Sequence, residues 1–188
     1  MSDISHIEGQ IQIQDAAVRM TFEPFISAEA IQQKVRFIAQ AIKHDYEGKQ
    51  PLFLVVMNGA FVYAADLLRA LDYNGEVQFV NIKSYIGTSS SGSVKIELPI
   101  DLSLEGKDII IIEDIIDTGN TMVKLIPILN NHLPKSVAMT AIFVKPEALL
   151  HDLHIHYPGF SIGKEFVIGY GLDYNNVGRG LNALYQKI

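Results

Sequence analysis

The sequence predicts an α/β fold built on a parallel central sheet, and three features carry that reading. Apolar runs at Leu52 to Met57, Ile109 to Ile112 and Val137 to Val144 have the composition of strands buried on both faces. Two of these runs lead into glycine-containing turns, Asn58-Gly59-Ala60 and Asp117-Thr118-Gly119-Asn120, and each turn is followed by apolar residues at helical spacing. A length of 188 residues with 48% hydrophobic side chains is enough for one domain with a sizeable core, and no internal repeat or linker divides it.

Composition narrows the function. A formal charge of -6 argues against a nucleic-acid surface as the main role, so an anionic substrate has to be met by few cations, by backbone amides and by a metal ion. The absence of cysteine removes disulfides, thiolate zinc sites and cysteine nucleophiles together. The first residues, Met1 to His6, lack a basic region followed by an apolar one, and no apolar run approaches the ~18 residues of a membrane span, so a cytoplasmic location is expected.

In chain order, the Ile/Gln alternation from Ile11 to Gln14 reads as a short strand with one wet face, belonging to a peripheral flap. Ser27 can cap a helix with Glu29 in its first turn, and Ile31, Val35, Ile38 and Ile42 then share one face until Gly48 stops the pattern. After the strand at Leu52 to Met57 and its turn, a second helix carries Ala65, Leu67, Leu68 and Leu71. Val77 to Ile82 is a third strand. The Ser/Gly-rich stretch from Lys83 to Val94 is too long and polar for a tight turn; on composition alone it is a surface loop, and Lys95 to Leu98 returns from it as a strand.

The chemistry concentrates in Ile109 to Thr121. Four isoleucines are followed at once by Glu113 and Asp114, then Ile115, Ile116, Asp117, Thr118, Gly119, Asn120 and Thr121, with Met122, Leu125, Ile126 and Leu129 marking a helix behind them. Ligands of open α/β sheets bind at the C-terminal ends of strands, and a helix N-terminus there offers unpaired N–H groups and a positive dipole end to a phosphate. Glu113 and Asp114 would repel that phosphate and suit a polyol or a metal ion, so a phosphorylated sugar satisfies both halves of the motif. A buried strand with an acidic helix cap is the plainer alternative. Further on, the strand Val137 to Val144 ends in Lys145-Pro146. The segment His151-Asp152-Leu153-His154-Ile155-His156 invites a metal reading, with His154 and His156 on one face of an extended chain, but its three histidines have no convincing fourth ligand, so no metal is assigned to them.

Glu113-Asp114-Ile115-Ile116-Asp117-Thr118-Gly119-Asn120-Thr121 resembles the phosphoribosyl-pyrophosphate loop of purine phosphoribosyltransferases of the hypoxanthine-guanine type, and Phe166-Val167-Ile168-Gly169-Tyr170-Gly171-Leu172-Asp173-Tyr174-Asn175 resembles the C-terminal signature of that family. Taken singly, Phe166 reads as core, Asp173 as a turn residue and Lys145 as a lysine leaving the sheet; their order and spacing carry the resemblance, which extends from about Leu52 to Leu181. It implies a type I phosphoribosyltransferase-like fold, a single domain over 1–188 with a core at about 27–145 and a small hood from the N-terminal segment and about 146–188.

It also implies roles. Glu113 and Asp114 would hold the ribose hydroxyls, partly through magnesium, and Thr118, Gly119, Asn120 and Thr121 the 5-phosphate. Asn58 and Gly59 would form the pyrophosphate turn, with Asn58 standing where the family often has a basic residue beside a strained peptide bond, and Arg179 would meet the pyrophosphate as well. Asp117 would take the purine N7 proton as N9 attacks. Lys145 would bind the 6-oxo group, Phe166 stack on the base, Val167 read the base edge through its backbone, and Asp173 lie near purine and metal. Ser84 and Tyr85 match a mobile lid. The implied activity is purine salvage, moving ribose 5-phosphate from phosphoribosyl pyrophosphate to a 6-oxopurine such as hypoxanthine or guanine with Mg²⁺ as cofactor, and the implied assembly is a homodimer or homotetramer. Two alternatives stay open on sequence: a non-catalytic phosphoribosyl-pyrophosphate sensor acting on nucleic acid, for which the chain shows no basic module, and a transferase preferring xanthine.

Overall fold

In a computed structural model of the chain, which describes residues 3–7, 9–15, 18–84, 94–99 and 103–188, the chain builds two sheets. It opens with three antiparallel strands, β1 (Asp3–Ile7), β2 (Gln10–Asp15) and β3 (Val18–Ile26). The alternation from Ile11 to Gln14 belongs to β2 and has the expected one wet face: both isoleucines are fully buried and join Met20, Phe22 and Ile168 in a small core of their own, while Gln12 and Gln14 lie on the other face.

Helix α1 (Ala28–Asp45) begins where expected. Ser27 is extended, and its hydroxyl accepts a hydrogen bond from Ala30 N–H at 3.2 Å, which satisfies one orphan donor of the first turn. Lys43 and His44 lie in its last turn, favourably placed against the dipole. Next come β4 (Leu52–Met57), α2 (Phe61–Leu71), β5 (Val77–Ser84) and β6 (Val94–Glu97), then β7 (Asp108–Ile116), α3 (Asn120–Asn130) and β8 (Ser136–Val144). A short 3₁₀ turn at Pro146–Ala148 leads to β9 (Tyr157–Ser161), and the chain closes with β10 (Val167–Ile168) and β11 (Leu184–Lys187).

The larger sheet has the order β6-β5-β4-β7-β8-β9; β6 is antiparallel to β5 and the other neighbours are parallel. Alternate side chains of its central strands go to opposite faces. Phe53, Val55, Ile110 and Ile112 pack against α1 and α2, and Leu52, Leu54, Ile109 and Ile111 pack against α3. Central strands covered on both sides need apolar residues at every position, which is why these runs were continuous rather than alternating.

The smaller sheet, β1-β2-β3-β11-β10, joins the two chain ends as the hood. The hood does not begin at about 146 as the sequence reading placed it. Residues 157–161 pair in parallel with β8, so the large sheet takes one strand from beyond that boundary. The physical reason is local: a Cβ on Gly159 would lie 2.2 Å from the Ile142 carbonyl oxygen, and only glycine admits that approach of one backbone to another. Among the described residues no helix is long and apolar enough to cross a membrane.

Candidate active site

β7 continues beyond its isoleucines, through Glu113 and Asp114 to Ile116, and stays paired with β8 up to Ile116 and Val144. The two acids are therefore strand residues, 8% and 7% exposed. Ile115 N–H donates to Asp114 Oδ1 at 2.7 Å, and Asp114 N–H donates to Glu113 Oε1 at 3.3 Å. Burial pushes the Glu113 carboxyl well above the usual range, and the adjoining Asp114 charge pushes the same way. Burial also raises Asp114, against hydrogen bonds from Glu113 and the backbone and against the Arg179 guanidinium, which favour its charge. No ion pair reaches either carboxylate among the described residues. Two adjoining buried carboxylates that hold their charges at a cost are a donor set for a hard cation such as Mg²⁺, or for sugar hydroxyls.

The acids line a cleft of about 280 Å³ together with Met57 at the end of β4, Gly59 of the first turn, Asp117, Thr118 and Gly119 of the second, Thr121 in the first turn of α3, and Ile82 and Met122 as apolar wall. The first turn is wedged in place. A Cβ on Gly59 would fall 1.5 Å from Asp114 Oδ2, and a Cβ on Gly171, whose φ is +101°, would fall 2.1 Å from the Gly59 carbonyl oxygen. The Gly59 peptide thus lies between the acid pair and the C-terminal signature, and glycine at both positions allows the approach. The Met57–Asn58 peptide is cis, and the exposed Asn58 side chain is outside the cleft lining.

The second turn enters α3 through Gly119 at φ +80°, with no side chain capping the helix. Its first N–H groups are thereby left to a ligand, apart from the Asn120 N–H, which lies 3.4 Å from Thr118 Oγ1. Thr118, Gly119 and Thr121 face the cleft as expected. Asn120 does not: its carboxamide turns to the segment after β8, where Asn120 Oδ1 lies 2.7 Å from His151 Nε2. In sequence His151 stood out only as one of three histidines to which no metal was assigned, with nothing to tie it to this turn.

Lys145 leaves β8 with its N–H bound to Ile116 O at 2.9 Å, and its ammonium stands 3.4 Å from Asp117 Oδ2. Both follow the C-terminal ends of neighbouring parallel strands, β7 and β8, and the structure brings them into contact. In the C-terminal signature Arg179 pairs with Asp173 at 2.7 Å and donates to Gly171 O at 2.8 Å, while Asp173 also accepts from Asn176 N–H at 2.7 Å. Asp173 therefore does not join Glu113 and Asp114 in one ligand set, and no three acids or histidines converge on a common point among the described residues.

Phe166 is 45% exposed, with its ring 6.2 Å from Phe22 and 6.1 Å, edge-on, from Tyr174. Val167 is held in β10 opposite Gln186. Ser84 ends β5, and Tyr85 lies outside the described residues. Gly171 escaped the sequence reading as a site residue; the Gly-Tyr-Gly run with left-handed φ at all of its positions is the signal that could have found it.

The profile of the phosphoribosyl transferase domain matches residues 26–175. The hypoxanthine-guanine phosphoribosyltransferase of Lactococcus lactis is 39% identical over 157 residues, covering 83% of this chain and 85% of that protein. The bifunctional protein TilS/HprT of Listeria monocytogenes is 39% identical over 150 residues, which cover 79% of this chain and only 23% of that longer protein. Among solved structures, a hypoxanthine-guanine phosphoribosyltransferase from Bacillus anthracis superposes with a TM-score of 0.81 at 35% identity, covering 88% of this chain and 96% of the other. A hypoxanthine phosphoribosyltransferase of Trypanosoma cruzi superposes at 0.78 and 29% identity, covering 87% and 94%. With the profile matched over most of its length and a relative of similar size matched over more than four fifths of both chains, the chain belongs to the phosphoribosyl transferase family, among the hypoxanthine-guanine phosphoribosyltransferases.

Proposed function

We propose that the chain transfers ribose 5-phosphate from phosphoribosyl pyrophosphate to N9 of a 6-oxopurine, hypoxanthine and also guanine, and releases pyrophosphate in a purine-salvage reaction. The observation that carries this reading is the 3.4 Å contact of Lys145 Nζ with Asp117 Oδ2 beside the phosphate-accepting turn. O6 and N7 are neighbours on one edge of such a purine, the first an acceptor and the second, in the N7–H tautomer, a donor. A fixed ammonium beside a fixed carboxylate complements that pair.

In the transfer the bond from C1 to pyrophosphate breaks with its electrons on the leaving group, N9 bonds to C1, and the N7 proton passes to Asp117. Thr118, Gly119, Thr121 and the N–H groups opening α3 hold the 5-phosphate, with Asn120 contributing to the shape of the turn. Glu113 and Asp114 hold the ribose hydroxyls together with Mg²⁺, which when bound neutralises charge on the departing pyrophosphate. Arg179, Asn58 and Gly59 serve the pyrophosphate. Phe166 covers the base, Val167 reads its edge through the backbone, and Asp173 orients Arg179 through their ion pair. Ser84 and Tyr85 belong to a lid that excludes water. On family membership alone the same reading extends to a cytoplasmic homodimer or homotetramer, which light scattering tests.

The test is one assay of the purified protein with phosphoribosyl pyrophosphate, Mg²⁺ and, in turn, hypoxanthine, guanine, xanthine, adenine and uracil. Nucleotide is expected from the first two and is abolished by excess chelator. Turnover of adenine alone, or full activity in chelator, contradicts the reading.

A further inference from the structure

The segment that follows Lys145 has no role in the function proposed above, yet it touches the phosphate-accepting turn at three places. Leu150 N–H donates to Thr118 O at 3.0 Å. The face of Gly119 that a Cβ would occupy is closed by Leu153, whose Cδ1 would be 2.5 Å away. His151 Nε2 meets Asn120 Oδ1 at 2.7 Å. A carboxamide oxygen only accepts, so His151 Nε2 carries the proton in this contact, whether the ring is neutral or charged.

The clasp acts on the turn from outside the cleft. Thr118, Gly119 and Thr121 line the cleft and Asn120 does not, so the carboxamide of Asn120 is spent on His151 rather than on the ligand. Asn120 is also the first residue of α3, and fixing its side chain fixes the peptide groups that open the helix. A solvated hydrogen bond of this kind contributes little to overall stability, but a turn already held in its binding shape need not be ordered when a ligand arrives.

We infer that His151 is a positioning residue for the phosphate of the sugar substrate, acting through Asn120 on the turn that opens α3. The inference rests on the function proposed above, and its test separates the two. His151→Phe keeps a ring and removes the donor; His151→Gln restores a donor. Binding of ribose 5-phosphate is measured by calorimetry, with KM for phosphoribosyl pyrophosphate, kcat and melting temperature alongside.

His151→Phe should weaken ribose 5-phosphate binding by roughly 3–10-fold and raise that KM in step, with kcat at saturation and melting temperature unchanged, and His151→Gln should recover most of the loss. Adding Asn120→Ala to His151→Phe should weaken binding no further than the worse single change, because both remove one contact. Unchanged binding by His151→Phe, losses that multiply in the double variant, or a fall in melting temperature together with kcat overturns the inference. If the unmodified protein binds neither ribose 5-phosphate nor phosphoribosyl pyrophosphate, the proposed function falls and takes this inference with it.

Discussion

Lys145 Nζ and Asp117 Oδ2 stand 3.4 Å apart, the lysine side chain 9% exposed and the aspartate 51%. The two partners are unequally served. Asp117 keeps water around much of its carboxylate, whereas the lysine places three donors in a nearly dry position with, among the described residues, one carboxylate to receive them. An incoming acceptor oxygen improves the lysine's situation, and the same purine edge brings an N–H to the aspartate.

Asp117→Asn keeps the shape of the turn and removes the proton acceptor. Turnover with hypoxanthine should fall by roughly 10²–10⁴-fold while affinity for phosphoribosyl pyrophosphate changes little. Steady-state kinetics with a direct binding measurement decides the matter, and near-normal turnover in a folded variant would remove Asp117 from the chemistry.

Gly171 is the next place where geometry makes a demand. Its φ of +101° and the 2.1 Å approach of a Cβ to the Gly59 carbonyl oxygen leave alanine no room without moving the first turn. Gly171→Ala should lose about 2–4 kcal/mol of stability, a fall of roughly 5–15 °C in Tm, and the variant that remains folded should show a raised KM for phosphoribosyl pyrophosphate. Wild-type melting and kinetics would contradict the wedge described here.

The acid pair predicts a pH dependence in the metal-free protein. Burial raises the Glu113 carboxyl well above its ordinary 4.5, so its contribution to stability is complete below about pH 4.5 and is lost as pH rises through the raised value. At pH 7–8 in chelator the wild type therefore holds this group at a disadvantage that Glu113→Gln does not have. The variant should melt a few degrees higher there, by roughly 2–4 °C per kcal/mol relieved, and the difference should shrink as pH is lowered toward 5. Thermal melts across that range test it; a variant less stable than wild type at pH 8 would show that the carboxylate is held by favourable partners instead.

The strands of the large sheet were legible in the sequence because burial on both faces leaves an unbroken apolar run, as at Leu52 to Met57, and α1 was legible because Ser27 and the Ile31, Val35, Ile38, Ile42 stripe agree on one helix. β9 was not. Tyr157-Pro158-Gly159-Phe160-Ser161 carries a proline and a glycine, both depleted in strands, and its place depends on the close approach of Gly159 to Ile142, a tertiary fact. β1 and β3 were missed for a related reason: antiparallel hood strands bury one face, and the charged Arg19 and Glu23 and the Pro24 interrupt the pattern. At the site, Glu113, Asp114, Asp117 and Thr118 were legible as a cluster because four chemistry-bearing side chains fall within six residues at the end of a strong strand. The contact of His151 with Asn120 was not legible, because the histidine cluster suggested only metal ligands and a contact across 31 residues leaves no local periodicity, and the Asp173–Arg179 pairing likewise could not be separated by sequence from a metal-facing role.

The most direct test of the account is the choice between hypoxanthine and adenine, because it isolates Lys145. An ammonium has only donors, so it complements O6 of hypoxanthine and confronts the donor amino group of adenine; leaving buried polar groups unpaired in this way can discriminate by ~10⁴-fold. The measurement is kcat/KM for both bases in the wild type and in Lys145→Ala. The account predicts negligible use of adenine by the wild type, and in the variant a large fall with hypoxanthine and a narrowed gap between the bases, with phosphoribosyl-pyrophosphate binding little changed. Comparable use of adenine by the wild type, or the full 6-oxo preference retained in Lys145→Ala, would contradict it.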